Sequence, residues 1–197
     1  HIVDGVITGA HSLAVEEYKK IHKPIVALDR YLGEDIPVIA VNHKEGGRLA
    51  AETLIQNGCR RVLHFRGKVT VESPYHDRHF EFARIMEEHG IQTIDYELGR
   101  NRLDSEYYKK AVKDVFTRGI DFDGVFGVDR PVIECMNETI RRHRRVPEDV
   151  KFVAYDGTFI TEMVEPPLTA IVQPIKELAR ESVRLVCNLV NGKVYKN

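Results

Sequence analysis

Four side chains stand where the sequence pattern could put chemistry: Asp29, Arg78, Asp156 and Gln173. Asp29 closes the apolar run Pro24–Leu28, and Asp156 closes Lys151–Tyr155. Both runs read as strands, and in an open α/β sheet ligands bind just beyond the carboxyl ends of the strands. A carboxylate there accepts two hydrogen bonds from a polyol. The competing reading of each aspartate is a turn or helix cap. Arg78 opens the helix pattern Tyr75–His89, after the strand Arg61–Phe65 and a long loop. A guanidinium so placed can bond paired hydroxyls or a carboxylate as a planar fork; its plainer reading is a solvated helix start. Gln173, with Pro174, closes the short strand Thr169–Val172, which follows the pair Pro166-Pro167.

The remaining polar features carry less. Asp129, with Pro131 close behind, reads as the cap of the next helix, and Arg130 as surface. His76 and His79 share one helical face, but no third ligand is spaced with them, so no metal site is expected. The run Arg141, Arg142, Arg144 and Arg145 reads as a solvated helix end, where cations suit the helix dipole. No G-x-S-x-G, P-loop or H-E-x-x-H occurs, so no catalytic residue is assigned and no cofactor is expected. Gly46-Gly47 lies inside a helix pattern, which points to close helix packing. Tyr31, Tyr75 and Phe159 could stack on a sugar face or serve core and surface roles.

These residues need elements to position them. Apolar strand runs alternate with helical patterns along the 197 residues. Strands are expected at Ile2–Thr8, Pro24–Leu28, Val38–Val41, Arg61–Phe65, Gln92–Tyr96, Gly124–Val128, Lys151–Tyr155 and Thr169–Val172. Helices are expected at Ser12–Ile21, His43–Gln56, Tyr75–His89, Ser105–Arg118, Arg130–His143 and Ile175–Val190. Such alternation gives an α/β fold with parallel sheets flanked by helices. Tyr108, Ala111, Val112, Val115 and Phe116 form one core-facing stripe; Ile175, Leu178, Ala179, Ser182, Val183 and Val186 form another.

Formal net charge is −1 and the pI is about 6.8, which excludes a strongly basic body of the kind that coats nucleic acid. The apolar runs are too short to span a membrane, and no signal-peptide pattern opens the chain. Cys59, Cys135 and Cys187 are far apart and read as free thiols in a reducing, cytoplasmic setting. The chain opens on strand-like sequence at His1, so a preceding segment is expected.

One link breaks the alternation. Val38–Val41 follows Asp29 after a short loop with no helix, whereas parallel strands of one sheet need a crossover of about a dozen residues. The chain is therefore expected to leave one sheet and enter another near Val41–Asn42. That gives a first lobe over residues 1–41, a second over 42–169, and a crossover strand and helix over 170–197 that return to the first.

Several stretches together resemble the effector-binding core of the LacI/GalR (lactose/galactose repressor) family. They are Val3-Asp-Gly-Val-Ile7, Pro24-Ile-Val-Ala-Leu-Asp-Arg30, Val41-Asn-His-Lys-Glu-Gly-Gly-Arg-Leu-Ala-Ala51, Arg78 in its helix, Val146-Pro-Glu-Asp-Val150, Tyr155-Asp-Gly-Thr158 and Pro166-Pro-Leu-Thr with Gln173-Pro174. The Tyr-Asp-Gly-Thr variant looks most like sucrose- and ribose-operon repressors. The resemblance implies a two-lobed fold of the periplasmic-binding-protein type with its effector in the cleft, and a first lobe that is incomplete in this chain. It implies a sugar or sugar phosphate effector, a homodimer, and operator DNA bound through a separate helix-turn-helix. Asp29, Arg78 and Asp156 match the family's sugar-contacting residues, and Gln173 a polar residue near the lobe crossing. Val128 departs from the Asn or Ser common before the matched aspartate, and Glu81 from a small residue after the arginine. A sugar-binding protein of a transport system is the alternative.

Overall fold

The structure is a computed structural model that describes residues 3–9, 15–69, 73–99 and 104–193. Those residues fall into two compact units. One comprises residues 3–9, 15–43, 73–77 and 174–193; the other comprises 44–69, 78–99 and 104–173.

The larger unit is built on a parallel five-stranded sheet. Its strands are β4 (Arg61–Gly67), β5 (Gln92–Leu98), β6 (Gly124–Val128), β7 (Lys151–Asp156) and β8 (Thr169–Val172), in the order β5-β4-β6-β7-β8. Its helices are α2 (His43–Gln56) and α3 (Asp77–Glu88), the first residue of each belonging to the other unit, with α4 (Ser105–Thr117) and α5 (Asp129–Arg141). The three inner strands are almost continuously buried, as sheets covered on both faces require. Alternation splits their side chains between two cores. Leu63, Phe65, Val125, Phe152 and Ala154 pack with Val112, Val115, Val132 and Met136 of α4 and α5. Val62, Phe126, Val153 and Tyr155 pack with Ala50, Leu54, Phe82 and Met86 of α2 and α3. The stripe expected on α4 lies in the first of these cores.

The smaller unit holds β1 (Val6–Thr8), α1 (Val15–Lys19), β2 (Ile25–Leu28), β3 (Val38–Ile39) and α6 (Ile175–Val190). Ser12 and Ile2, expected to begin a helix and a strand, lie outside the described residues. Its sheet is parallel, in the order β1-β2-β3. The short link after Asp29 therefore does not carry the chain into another sheet: Ala27 pairs with Val38 and Leu28 with Ile39. The helix-free crossover works because β3 is only two residues long and the loop supplies its own apolar cover. Leu32, 1% exposed, packs with Tyr18, Ile25 and Ala27.

Two further differences concern boundaries. β8 was expected to open the return crossover, yet its four residues pair with β7 from Thr169 to Val172, so it belongs to the five-stranded sheet. On α6, Ser182 and Leu185 are buried, whereas Ile175 and Val183 of the expected stripe are more than half exposed.

The glycine pair of α2 explains how its helix seats. A Cβ on Gly46 would lie 2.6 Å from the Tyr155 ring, and one on Gly47 would run into the backbone of Arg78. Gly47→Ala is expected to cost about 1–3 kcal/mol in urea unfolding, because a backbone carbonyl cannot yield as a side chain can. Gly67→Ala, with open space around it, should stay within about 0.5 kcal/mol.

Candidate functional site

Asp156 ends β7 with φ 105°, and Gly157 follows at φ 60°. This left-handed pair swings the chain out of the sheet at its carboxyl edge. β8 runs beside β7 in register, Asp156 opposite Val172, so Gln173 emerges next to Asp156. Its Nε2 donates to Asp156 Oδ1 at 2.5 Å, and its backbone N–H donates to the Asp156 carbonyl at 3.2 Å. Arg78 comes from the first turn of α3, with one guanidinium nitrogen 3.7 Å from Asp156 Oδ1 and the guanidinium carbon 4.4 Å from the centre of the Tyr155 ring. Three of the four expected residues thus form one cluster. Arg78 is 8% exposed and the Asp156 side chain is one-third exposed. The cluster offers a carboxylate, an amide and a planar guanidinium, the donor and acceptor set that suits a polyol.

Asp129, expected as a helix cap, has another task. It begins α5 but is 3% exposed, and its carboxylate accepts from the backbone of Gly157 at 3.1 Å and of Thr158 at 2.8 Å, and from the Thr158 hydroxyl at 2.6 Å. It pins the loop that follows Asp156. The neighbouring strand ends of β6 and β7 make this reach possible.

Asp29 belongs to the smaller unit. It too has a left-handed backbone, φ 55°. Its Oδ1 accepts from the Val41 N–H at 3.3 Å and lies 2.8 Å from Nε2 of buried His43. Tyr75, in the same unit, is faced by the Arg30 guanidinium at 4.6 Å. Tyr31 and Phe159 are more than half exposed.

The basic run is taken up locally. Arg141 and Arg142 pair with Glu138 and Arg145 with Asp149, while Arg144 donates to the Phe122 carbonyl at 2.8 Å. Glu81 pairs with Arg84 on its own helix. Among the described residues no group of His, Cys, Asp and Glu could hold a metal. His76 accepts from the Ser73 N–H at 3.2 Å, and His79 bonds His64 at 2.8 Å. Burial raises the Cys59 thiol to about 11, with Asp123 adding to the effect, and burial raises Cys135 too; both are protonated, poorly nucleophilic thiols at neutral pH.

Sequence reasoning passed over His64 and Asp95. The available signal was a histidine in the inward-facing run Val62-Leu-His-Phe65. His64 is fully buried and its Nδ1 lies 3.0 Å from Asp95 Oδ1.

A model of the periplasmic binding protein-like domain matches residues 51–197, three-quarters of the chain. The chain belongs to that family. It is 33% identical over 192 residues to the ribose operon repressor of Halalkalibacterium halodurans, covering 97% of this chain and 57% of that protein. It is also 33% identical over 178 residues to the sucrose operon repressor of Streptococcus mutans, covering 90% and 54%. The chain thus spans little more than half the length of these relatives. A periplasmic binding protein/LacI transcriptional regulator from Alkaliphilus metalliredigens, solved with D-xylulofuranose, superposes with a TM-score of 0.85 at 26% identity, over 98% of this chain and 72% of that one. The likeness assigns the chain to LacI/GalR-type cores, as its motifs implied. No helix among the described residues is long and apolar enough to cross a membrane.

Two outcomes test this geometry. Asp129→Ala should speed hydrogen exchange at the Gly157 and Thr158 amides, leaving that of β4 unchanged. For His64, burial lowers the pKa against the raising effect of Asp95. The unfolded chain therefore takes up the proton first as pH falls below about 6.5. The stabilisation is full above that pH and is lost as pH falls through the lower folded value. Thermal unfolding should show a steeper fall in Tm from pH 7 to 5 in the parent than in His64→Gln.

Proposed function

We propose that this chain is the effector-binding core of a sugar-responsive transcriptional repressor and not an enzyme. The observation that carries the reading is the Arg78–Asp156–Gln173 cluster at the carboxyl end of a parallel sheet, in a chain whose relatives are named as ribose and sucrose operon repressors. Arg78 and Asp156 balance each other's charge, so the cluster suits a neutral sugar better than a sugar phosphate, which would call for further cations. Asp29 is proposed as a further carboxylate contact. Gln173 holds Asp156 in place and adds an amide of its own.

The effector acts by shifting a population. It favours whichever state of the protein binds it more tightly, and only by the difference between its two affinities. Operator DNA is bound by a helix-turn-helix domain joined to this core in the whole protein, which acts as a cytoplasmic homodimer.

Calorimetry with D-ribose and sucrose tests the site. Arg78→Ala and Asp156→Ala should each weaken binding about ten- to a hundredfold, the loss expected for charged hydrogen bonds. Unchanged affinity in both variants would remove the assignment. Recovery of chemically altered sugar after incubation with the protein would overturn the non-enzymatic reading.

A further inference from the structure

Alternation along β4 places His64 in a slot that an apolar residue would fill. The rings of Phe82 and Phe126 lie 4.9 and 5.4 Å from it, centre to centre. Both of its nitrogens are nevertheless bonded. Nδ1 is 3.0 Å from Oδ1 of Asp95, its register partner on β5, and Nε2 is 2.8 Å from Nδ1 of His79. His79 is 6% exposed, and its Nε2 lies 3.4 Å from Arg78 Nε. The chain of contacts begins at a group that only donates and ends at one that, when ionised, only accepts.

Those two ends dictate each proton between them. The Arg78 Nε–H donates to His79 Nε2, so that nitrogen carries no hydrogen. The His79 proton is then on Nδ1 and donates to His64 Nε2. The His64 proton is on Nδ1 and donates to Asp95. We propose that Asp95, His64 and His79 form a directional relay that positions Arg78, with both rings neutral and protonated on Nδ1.

One proton added to either ring sets two N–H groups face to face, either between the rings or at Arg78. At His64 burial opposes that proton, and the His64 hydrogen bond holds the Asp95 carboxyl below its ordinary range. Charged groups facing the relay among the described residues include Arg66, whose Nε is 3.0 Å from Asp95 Oδ2; Asp95; Arg78; and Asp156, 3.7 Å from Arg78. Because Nε of Arg78 is held by His79, a terminal nitrogen is turned toward Asp156. The relay thus sets which edge of the guanidinium meets a ligand, and this consequence rests on the reading of Arg78 as a sugar contact. His64, His79 and Asp95 are positioning residues.

The test uses the protein without sugar. Long-range ¹H–¹⁵N spectra of the histidine rings at pH 7 should show both His64 and His79 neutral with the hydrogen on Nδ1. Either ring as an Nε2–H tautomer or an imidazolium overturns the relay, and this measurement needs no variant. In His79→Phe, the Arg78 Nε–H should exchange with solvent about tenfold faster or more, as a donor deprived of its buried acceptor does. An unchanged Arg78 Nε–H in the folded variant also overturns the relay. If the tautomers and the exchange behave as stated while Arg78→Ala leaves D-ribose and sucrose affinities unchanged, the relay stands and the sugar-site reading alone fails.

Discussion

Arg78 is 8% exposed, and a guanidinium so far from water needs partners for its charge and for its donors. Much of the larger unit's architecture around it answers that need. The Tyr155 ring lies under it, Asp156 supplies an opposite charge at one edge, and His79 accepts from the other. Gly47 lets α2 come against the Arg78 backbone, and Gly46 lets it come against Tyr155. A side chain at either glycine would push apart the elements that enclose the cation. The same packing that buries the arginine also fixes its orientation, which a binding group requires.

Neighbouring strand ends show how surroundings give identical residue types different work. Asp129 follows β6 and Asp156 ends β7, and both are aspartates at the carboxyl edge. Asp129 is almost fully buried, with its carboxylate engaged by the Gly157 and Thr158 groups. Asp156 stays one-third exposed, held on one side by Gln173 and approached by Arg78. The first is structural reinforcement for the loop that leaves the second. Its burial is compatible with charge because three donors converge on it.

Much of this was legible in the residues. Helices α2 and α6 and strands β6 and β8 fall at their expected limits, because Gly, Pro and polar caps mark their ends and a 3.6- or 2-residue period fills them. Gly46-Gly47 was legible as a packing site for the same reason: two glycines inside a helix are costly unless something approaches closely. The β2–β3 link departs from the crossover rule because β3 has only two residues and takes its cover from Leu32 in the loop itself. The α6 stripe is narrower than its period implies, because periodicity marks an apolar face without telling how much of it a neighbour covers; Ile175 and Val183 are more than half exposed. His64 and Asp95 passed unread because their meeting depends on strand register.

By itself the sequence determined the alternating α/β order, the parallel sheets, the polar groups at strand ends and the family motifs. All of these are properties of residue type and local spacing. Tertiary structure alone decided that Arg78, Asp156 and Gln173 form one cluster, that Asp129 staples a loop, and that Asp95, His64 and His79 line up behind the arginine. The reason is physical. A hydrogen bond requires its partners within about 3 Å, and residues such as Asp95 and His64, 31 positions apart in the chain, reach that distance only when neighbouring strands pair in one particular register.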